Sequence, residues 1–411
     1  MRRRPRGFFG AWHNDSNASS IVRVVLVHGW APPTRGGTSI IVERLLGRMD
    51  GVVLTTWTRL TQRSRVRKGN SALPGTYRYF VQLRSSLFVP RGFSFVITIV
   101  NVVLAVLTGA CIGIAAGRKS NSVVISVVDD GFSQIAGGVA ARIARAPHVI
   151  WVFDLWEENA YAASDRVIAR WAERGLWRSA AAIVVHAEEM VEHYQTKHGV
   201  LSHVFRTPID ESQTAVAVRT PDDDVGQWEV LVAGAVYWAQ VEALRRVAAA
   251  VRSIPWASFT VVGDPALQTA TLDAAVYEPP VYGRALQERM ARAQLLVLGL
   301  SFNTQYADVV RTATPARLPE YLVSGVPVLV HAPSSSHVAR HVRRWELGTV
   351  VDDPTESAVR QAIEEIRTKA GEHGRQAAYA REFVLKTHGA INVRQDFRTL
   401  LGVVATRERA K

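Results

Sequence analysis

The sequence predicts an α/β protein made of two successive domains, each with a parallel sheet covered by helices. Short, continuously apolar strands alternate with amphipathic helices, and the alternation occurs twice. Between the two series, Thr207 to Gln227 is polar and contains Pro208, Pro221 and Asp222-Asp223-Asp224, the composition of a linker. The length agrees, because 411 residues are too many for one core and suit two domains of ordinary size.

In order, Ile21 to Val27 reads as a strand, followed by a Gly/Pro-rich loop, an amphipathic helix from about Thr38 to Arg48 and a strand from Gly51 to Thr56. After a basic, apolar region come strand Val123 to Val128, helix Phe132 to Ala144, strand His148 to Phe153, helix Ser164 to Trp177, strand Ala182 to Val185 and helix Glu188 to Lys197. This is one Rossmann-like unit. The second runs through strand Glu229 to Ala233, helix Val241 to Val251, strand Ser258 to Val262, helix Ala285 to Arg292, strand Leu295 to Leu298, a short helix around Glu320, strand Val328 to Val330 and helix Glu356 to Thr368. A helical pattern from about Gly374 to Arg407 closes the chain. The expected division is a disordered basic tail over 1–20, a first domain over 21–206, a linker over 207–228, a second domain over 229–385 and a closing helix over 386–411.

The formal charge of +13 calls for an acidic partner, and its distribution narrows the choice. From Gly51 to Val128 there is no Asp or Glu, while Arg59, Arg63, Arg65, Arg67, Lys68, Arg78, Arg84, Arg91, Arg118 and Lys119 are all positive. Inside this region Gly92 to Gly117 carries no charge over 26 residues, about 39 Å as a helix and long enough for a hydrocarbon core of roughly 30 Å. The strands on either side belong to one sheet, so both ends of the run must lie on one side of a membrane. A helix sunk in one leaflet, with cationic flanks on acidic headgroups, meets that condition. The alternative is a wholly buried core helix. The basic N-terminus has no adjoining apolar core of signal-peptide length, so export is not expected. The single Cys111 permits no internal disulfide, fits a reducing cytoplasm and is expected to be packed.

Chemistry concentrates in Ala313 to Val330, which reads as loop, short helix, tight turn and buried strand. Thr314 is a good N-cap and Pro315 suits the first helical position, so the free amides and positive end of the helix face the preceding loop. A diphosphate would sit there. Glu320, one turn in, would accept hydrogen bonds from two adjacent ribose hydroxyls. The competing reading is an amphipathic helix with a solvated glutamate. Together with Gly325-Val326-Pro327, the block resembles the nucleotide-sugar segment of retaining GT-B glycosyltransferases, family 4. The resemblance spans about Ile21 to Leu401. It implies two Rossmann-like domains facing a central cleft, a closing helix packed back on the first domain, and Glu320 on the nucleotide ribose.

Other segments fit the same family with departures. The loop His28 to Gly37 ends the first strand, where ligands of open α/β sheets bind, and Gly36-Gly37 resembles the family's loop between acceptor and donor diphosphate; it also reads as a simple turn. Phe153-Asp154-Leu155-Trp156-Glu157-Glu158-Asn159 resembles an Asp-Leu-Trp-Pro-Glu-Ser acceptor phrase, with Glu157 in place of Pro and Asn159 in place of Ser; Asp154 also reads as a helix cap. His186 follows another strand and reads as a satisfied core histidine. Gly234-Ala235-Val236-Tyr237-Trp238 resembles the glycine-rich donor loop but lacks the usual basic pair, leaving Arg311 or Arg317 to supply the charge. Val262-Gly263-Asp264 resembles the family's strand-end Val-Gly-x phrase, which implies that Gly263 shapes the nucleotide pocket. The family's first glutamate position is Thr312, for which Asn303, Thr304 or Asp308 are possible substitutes.

Asp129-Asp130 and Asp222-x-Asp224 lack the context of a divalent-cation site, zinc spacing is absent, and no nucleic-acid motif is present. The resemblance therefore implies a metal-independent hexosyltransferase-like enzyme without a cofactor. Its co-substrate is a nucleotide-diphosphate sugar, its acceptor a lipid-linked or cell-surface glycan, and its place the cytoplasmic face of the membrane. The rivals are a catalytically inactive membrane-bound scaffold on the same fold and a nucleotide-sugar epimerase.

Overall fold

The computed structural model describes residues 21–34, 36–68, 73–83, 91–128, 131–160, 163–210, 227–263, 272–273 and 275–407. The expected tail over 1–20, most of the linker over 207–228 and the pairs Asp129-Asp130 and Asp222-x-Asp224 lie outside these residues. The chain divides into two compact units, the first ending at Val185 and resuming over Val191–Phe205 and from Ile391 onward, the second comprising His186–Met190 and Arg206–Ala390.

The first unit contains strands β1 (Val22–Val27), β2 (Val52–Arg59), β3 (Thr76–Phe80), β4 (Ser122–Val128), β5 (His148–Val152), β6 (Ala182–Val185) and β7 (His203–Val204). They form one sheet in the order β3-β2-β1-β4-β5-β6-β7, parallel throughout. Strand order reverses at β1 and β4, which opens a ligand crevice at the carboxyl edge there. The helices are α1 (Gly37–Leu46), α2 (Arg63–Lys68), α3 (Arg91–Ala116), α4 (Phe132–Ala144), α5 (Ala163–Ser179) and, from Val191 onward, α6 (Glu188–His198), whose first three residues belong to the second unit. Sequence pattern does not show β3 or β7. β3 is a short edge strand whose residues alternate between exposed and half-buried up to the buried Phe80, and β7 has two residues.

α4 is buried nearly throughout because it has a neighbour on both sides. An added Cβ at Gly137 would lie 2.7 Å from the Ser126 Cβ of the sheet. On the other side, a Cβ at Gly109 of α3 would lie 2.5 Å from the Ala136 carbonyl oxygen, and one at Gly113 would lie 2.7 Å from the Ile143 Cβ. The two helices therefore run parallel in tight contact, with α3 outside α4. The wholly buried alternative for α3 is excluded, since Phe95, Ile99, Val103, Leu107 and Ile114 are all exposed. Cys111 is exposed as well, contrary to the packed cysteine expected, because it lies on this same outward face.

The second unit contains β8 (Trp228–Ala233), β9 (Ala257–Val262), β10 (Ala275–Glu278), β11 (Leu295–Gly299), β12 (Val328–His331) and β13 (Thr349–Val351). Its sheet has the order β10-β9-β8-β11-β12-β13, again parallel throughout, with the reversal at β8 and β11. Successive residues of β11 serve opposite faces: Leu296 and Leu298 join one core, Leu295 and Val297 the other. Burial on both faces explains why these strands read as unbroken apolar runs. The helices are α7 (Trp238–Arg252), α8 (Arg284–Met290), α9 (Ala307–Thr312), α10 (Arg317–Ser324), α11 (His337–Trp345), α12 (Glu356–Thr368) and α13 (Ala370–His388). Sequence pattern misses β10, α9, α11 and β13. Three are very short, and α11, rich in Arg and His, hides a narrow apolar stripe of Val338, Ala339 and Val342.

The closing helical pattern is two helices, α13 and α14 (Ala390–Arg407). The break falls at Gly389 rather than 386, where the Ile209 amide donates to the His388 carbonyl and the Ala390 amide donates to the Ile209 carbonyl. α13 belongs to the second unit. Most of α14 belongs to the first, where Phe397 is fully buried with ring centroids 5.3 Å from Trp151 and 5.1 Å from Phe205.

Candidate functional site

The second unit gathers several of the sequence-selected residues at the carboxyl edge of β8, its switch strand. Tyr321, fully buried on α10, receives a hydrogen bond from the Ala233 amide at 2.7 Å and donates to the Ala233 carbonyl at 3.1 Å. That pair ties α10 to the end of β8. The next residue, Gly234, takes φ +102°, and its amide donates to the Val262 carbonyl at 2.7 Å, directly before Gly263. Gly263 in turn donates to the Glu278 carbonyl at 3.2 Å. A side chain at Gly234 would be strained, and its Cβ would lie 2.8 Å from Arg317 Nη2.

Arg317 opens α10 and lays its guanidinium on this loop. Nη2 donates to the Ala235 carbonyl at 2.7 Å and Nη1 to Gln240 Oε1 at 3.4 Å. Of the two arginines offered by the sequence, this one stands at the loop, whereas Arg311 pairs with Asp308 at 3.2 Å. Glu320, half-buried, lies in the first turn of the same helix. The turn Gly325 closes α10 in the left-handed conformation, φ +76°.

The expected cap is corrected. α10 begins at Arg317 with Ala316 at the N-cap and no side-chain cap, so Thr314 does not cap it and Pro315 precedes the helix. Instead the Leu318 amide donates to the Pro315 carbonyl at 2.9 Å. The anchor through Tyr321 sets where the helix starts, and tertiary contact outweighs a cap worth about 1 kcal/mol.

Thr312 ends α9 almost fully buried, its hydroxyl donating to the Asp308 carbonyl at 2.9 Å. Its hydroxyl proton is therefore committed within the helix. Of the proposed substitutes, Thr304 accepts from the Tyr306 amide at 3.1 Å, Asp308 holds Arg311, and Asn303 is exposed. Sequence reasoning misses the support of this β11–α9 loop: Glu242 accepts from the Phe302 amide at 2.8 Å, and Ser301 donates its amide to the Ala239 carbonyl at 2.7 Å. It also misses the aromatic pair of Trp238 and Tyr306, with ring centroids 4.8 Å apart. Their 68-residue separation leaves no local signal.

In the first unit, Gly36 is the exposed, extended N-cap of α1 and Gly37 its first residue, so the helix's free amides follow β1 at the switch edge. The preceding loop is held by Thr34 donating to Gln62 at 2.8 Å, Tyr77 donating to the Pro32 carbonyl at 2.8 Å, and Arg59 stacked 4.4 Å from the Trp30 ring centroid. Asp154 follows β5. Among the described residues no helix begins between Asp154 and Ala163, so it is not a cap. Desolvation by surrounding protein raises its carboxyl pKa, yet the side chain itself is exposed, and direct access to water keeps the carboxylate available.

Glu157, a departure from the acceptor phrase, and Glu158, which matches it, are both engaged by Lys197. Lys197 reaches Glu157 at 2.8 Å, Glu158 at 2.7 Å and the fully buried Glu173 at 3.0 Å. Glu188, Glu189 and His337 of the second unit bring potential ligand atoms within 4.8 Å of one another. Arg340 at 3.0 Å from Glu189 and Arg206 at 3.6 Å from Glu188 make this an ion-pair network.

No protein-family model matches the chain, and no curated protein matches it in sequence. Solved structures do match. HepE of Anabaena, in complex with UDP-glucose, aligns with TM-score 0.64 at 12% identity over 93% of this chain and 99% of its own. Sucrose-phosphate synthase of Thermosynechococcus elongatus aligns with TM-score 0.62 at 15% identity, over 93% and 100%. A glycosyltransferase of Rickettsia africae aligns with TM-score 0.64 at 11% identity, over 93% and 98%. These neighbours are GT-B glycosyltransferases, and the chain has the GT-B fold, two parallel-sheet Rossmann-like domains with seven and six strands among the described residues.

Proposed function

We propose that this chain is a glycosyltransferase of the family 4 type, moving a sugar with retention from a nucleotide-diphosphate donor to a lipid-linked or cell-surface glycan acceptor. The observation that carries this is Arg317, whose guanidinium lies on the Gly234 loop at the switch edge while Glu320 occupies the next positions of the same helix. A cation there neutralises a leaving diphosphate, and a carboxylate one turn on takes a ribose; helix amides add to the stabilisation, so the chemistry assigned needs no metal. The structural neighbour HepE, solved with UDP and with UDP-glucose, supports the donor class. Gly36, Gly37 and Asp154 are assigned to the acceptor side. The lone Cys111 fits a cytoplasmic setting.

Thermal shift with UDP-glucose, GDP-mannose and related donors tests the reading, since a ligand at 100 times its Kd stabilises by about 2.7 kcal/mol. No stabilisation by any of them would overturn it. For the donor that binds, Glu320→Ala should weaken affinity by about 1.5–3 kcal/mol, the usual worth of a hydrogen bond to a charged group; unchanged affinity in a folded variant removes Glu320 from the site. Arg317→Ala should cost a similar amount with the diphosphate sugar and much less with the bare nucleoside, and equal losses would contradict its role.

Thr312 favours the inactive scaffold as a second reading, because a buried threonine replaces the carboxylate used near the donor sugar. Nucleotide release that requires acceptor would eliminate that reading and the epimerase.

A further inference from the structure

We infer that the outward face of α3 is a membrane-docking surface that lies flat in one leaflet of an anionic bilayer. Phe95, Ile99, Val103, Leu107 and Ile114 form a row along it, flanked by Val96, Val100 and Val106, each between 37% and 73% exposed. Scattered apolar side chains are ordinary on a protein surface; a contiguous row over five turns marks an interaction site. The helix's polar groups are turned away from this row. Thr98, buried, donates to Asp165 at 2.6 Å, and Asn101 accepts from the Leu83 amide at 3.0 Å. Hydrocarbon offers no hydrogen-bond partner, and this face asks for none.

Length and hydropathy alone would permit crossing, since Phe95–Ala116 has a mean hydropathy of 2.5. The tertiary structure does not. α3 joins β3 to β4 of one sheet, and its inner face is locked to α4 through Gly109 and Gly113. Spanning would strip that contact and carry one end of the crossover away from its sheet.

Charge selects the occupant. There is no acidic residue from Gly51 to Val128, and exposed Arg118 and Lys119 directly follow α3, with Arg63, Arg65 and Arg67 exposed on α2. Acidic headgroups complement that pattern, and a second copy would bring like charges together. Each basic residue near an anionic leaflet contributes about fivefold in affinity, the equivalent of about 1 kcal/mol.

The attachment is read without any sugar transfer, so its failure leaves the proposed activity standing. The exposed Cys111, the only cysteine, takes an environment-sensitive thiol dye on the full chain. Vesicles of phosphatidylcholine with phosphatidylglycerol should shift its emission to the blue and float the protein, more weakly as salt rises but not to zero. Val103→Glu with Leu107→Glu should abolish flotation on both acidic and neutral vesicles while leaving the melting temperature unchanged, because both side chains are exposed. Arg118→Gln with Lys119→Gln should lower affinity for acidic vesicles by about 25-fold and hardly alter binding to neutral ones. A dye that stays in water, flotation unaffected by the glutamates, or a dimer that the glutamates dissolve would each overturn the proposal. So would labelling of Lys119→Cys, with Cys111→Ser, from outside intact cells.

Discussion

Lys197→Met should destabilise the first unit by about 3 kcal/mol, the cost of removing one partner from a buried ionic cluster. Its ammonium is the common partner of three carboxylates, and Glu173 among them has no exposed surface. Burial disfavours the ammonium, but Glu173, Glu157 and Glu158 together hold its pKa above the usual lysine value. The effect is mutual: burial opposes ionisation of Glu158, yet hydrogen bonds from His193 and Lys197 hold it at about 2. Without Lys197, Glu173 keeps, among the described residues, the His198 ring at 2.9 Å and the Glu157 amide at 3.2 Å, and Glu157 keeps Arg170 at 2.7 Å. A melting temperature lower by roughly 6–12 °C follows for a unit of this size. Adding Glu173→Gln to Lys197→Met should restore part of the loss, because an uncompensated charge is removed with its partner. A single variant that melts like the parent would show that the cluster contributes nothing.

Acid should destabilise both units well before their carboxylates titrate. Among the described residues, a buried histidine lies on an interior strand of each sheet. In the first unit His148 sits with Nε2 2.8 Å from Ser126 Oγ, and burial, assisted by Arg142, pushes its imidazole down to about 3. In the second, His331 is fully buried, bonded through Nδ1 to the Val351 carbonyl at 3.0 Å and through Nε2 to Arg246 at 2.9 Å. Arg246 can only donate, so the neutral ring carries its proton on Nδ1. Desolvation, with Arg246 adding repulsion, pushes it down to about 4. A base whose folded pKa lies below its unfolded value near 6.5 stabilises the fold fully above pH 6.5. That contribution is lost as pH falls from 6.5 towards the folded pKa, because the unfolded chain takes up the proton first. Each histidine should therefore cost about 1.4 kcal/mol per pH unit, or about 2–3 kcal/mol between pH 6.5 and 4.5. Thermal unfolding across that range should show the decline, and His148→Asn and His331→Asn should each flatten it by about one proton. A slope unchanged in both variants would place the acid sensitivity elsewhere.

Where sequence reasoning places residues on the right elements, the information is local. Gly234 follows a strand that is apolar on both faces, and Arg317 and Glu320 stand in a helix bounded by Gly325 and Pro327. Where it fails, the deciding partner is distant. Thr314 and Pro315 have the chemistry of a helix start, but Tyr321 bonded to Ala233 moves that start to Arg317. Arg311 and Arg317 are indistinguishable by spacing, and only the fold shows that one reaches Ala235 while the other holds Asp308. Glu157 looks like a mere departure from an acceptor phrase until Lys197, from α6, is placed between it and Glu158.

By itself the sequence determined the α/β class, the two parallel-sheet units and most of their strands, because burial on both faces of a parallel sheet writes an unbroken apolar run into each strand. It also determined that residues 92–117 form one long apolar helix in a region without acid. Only the tertiary structure decided which face of that helix is covered, since composition is the same for a buried helix and a half-exposed one. The packing of Gly109 and Gly113 against α4 settles it, leaving the row of Phe95, Ile99, Val103, Leu107 and Ile114 outward. The same holds for the site: residue types are chosen locally, but a guanidinium on a loop 82 residues away and an aromatic pair across two loops exist only once the sheet has brought its carboxyl ends together.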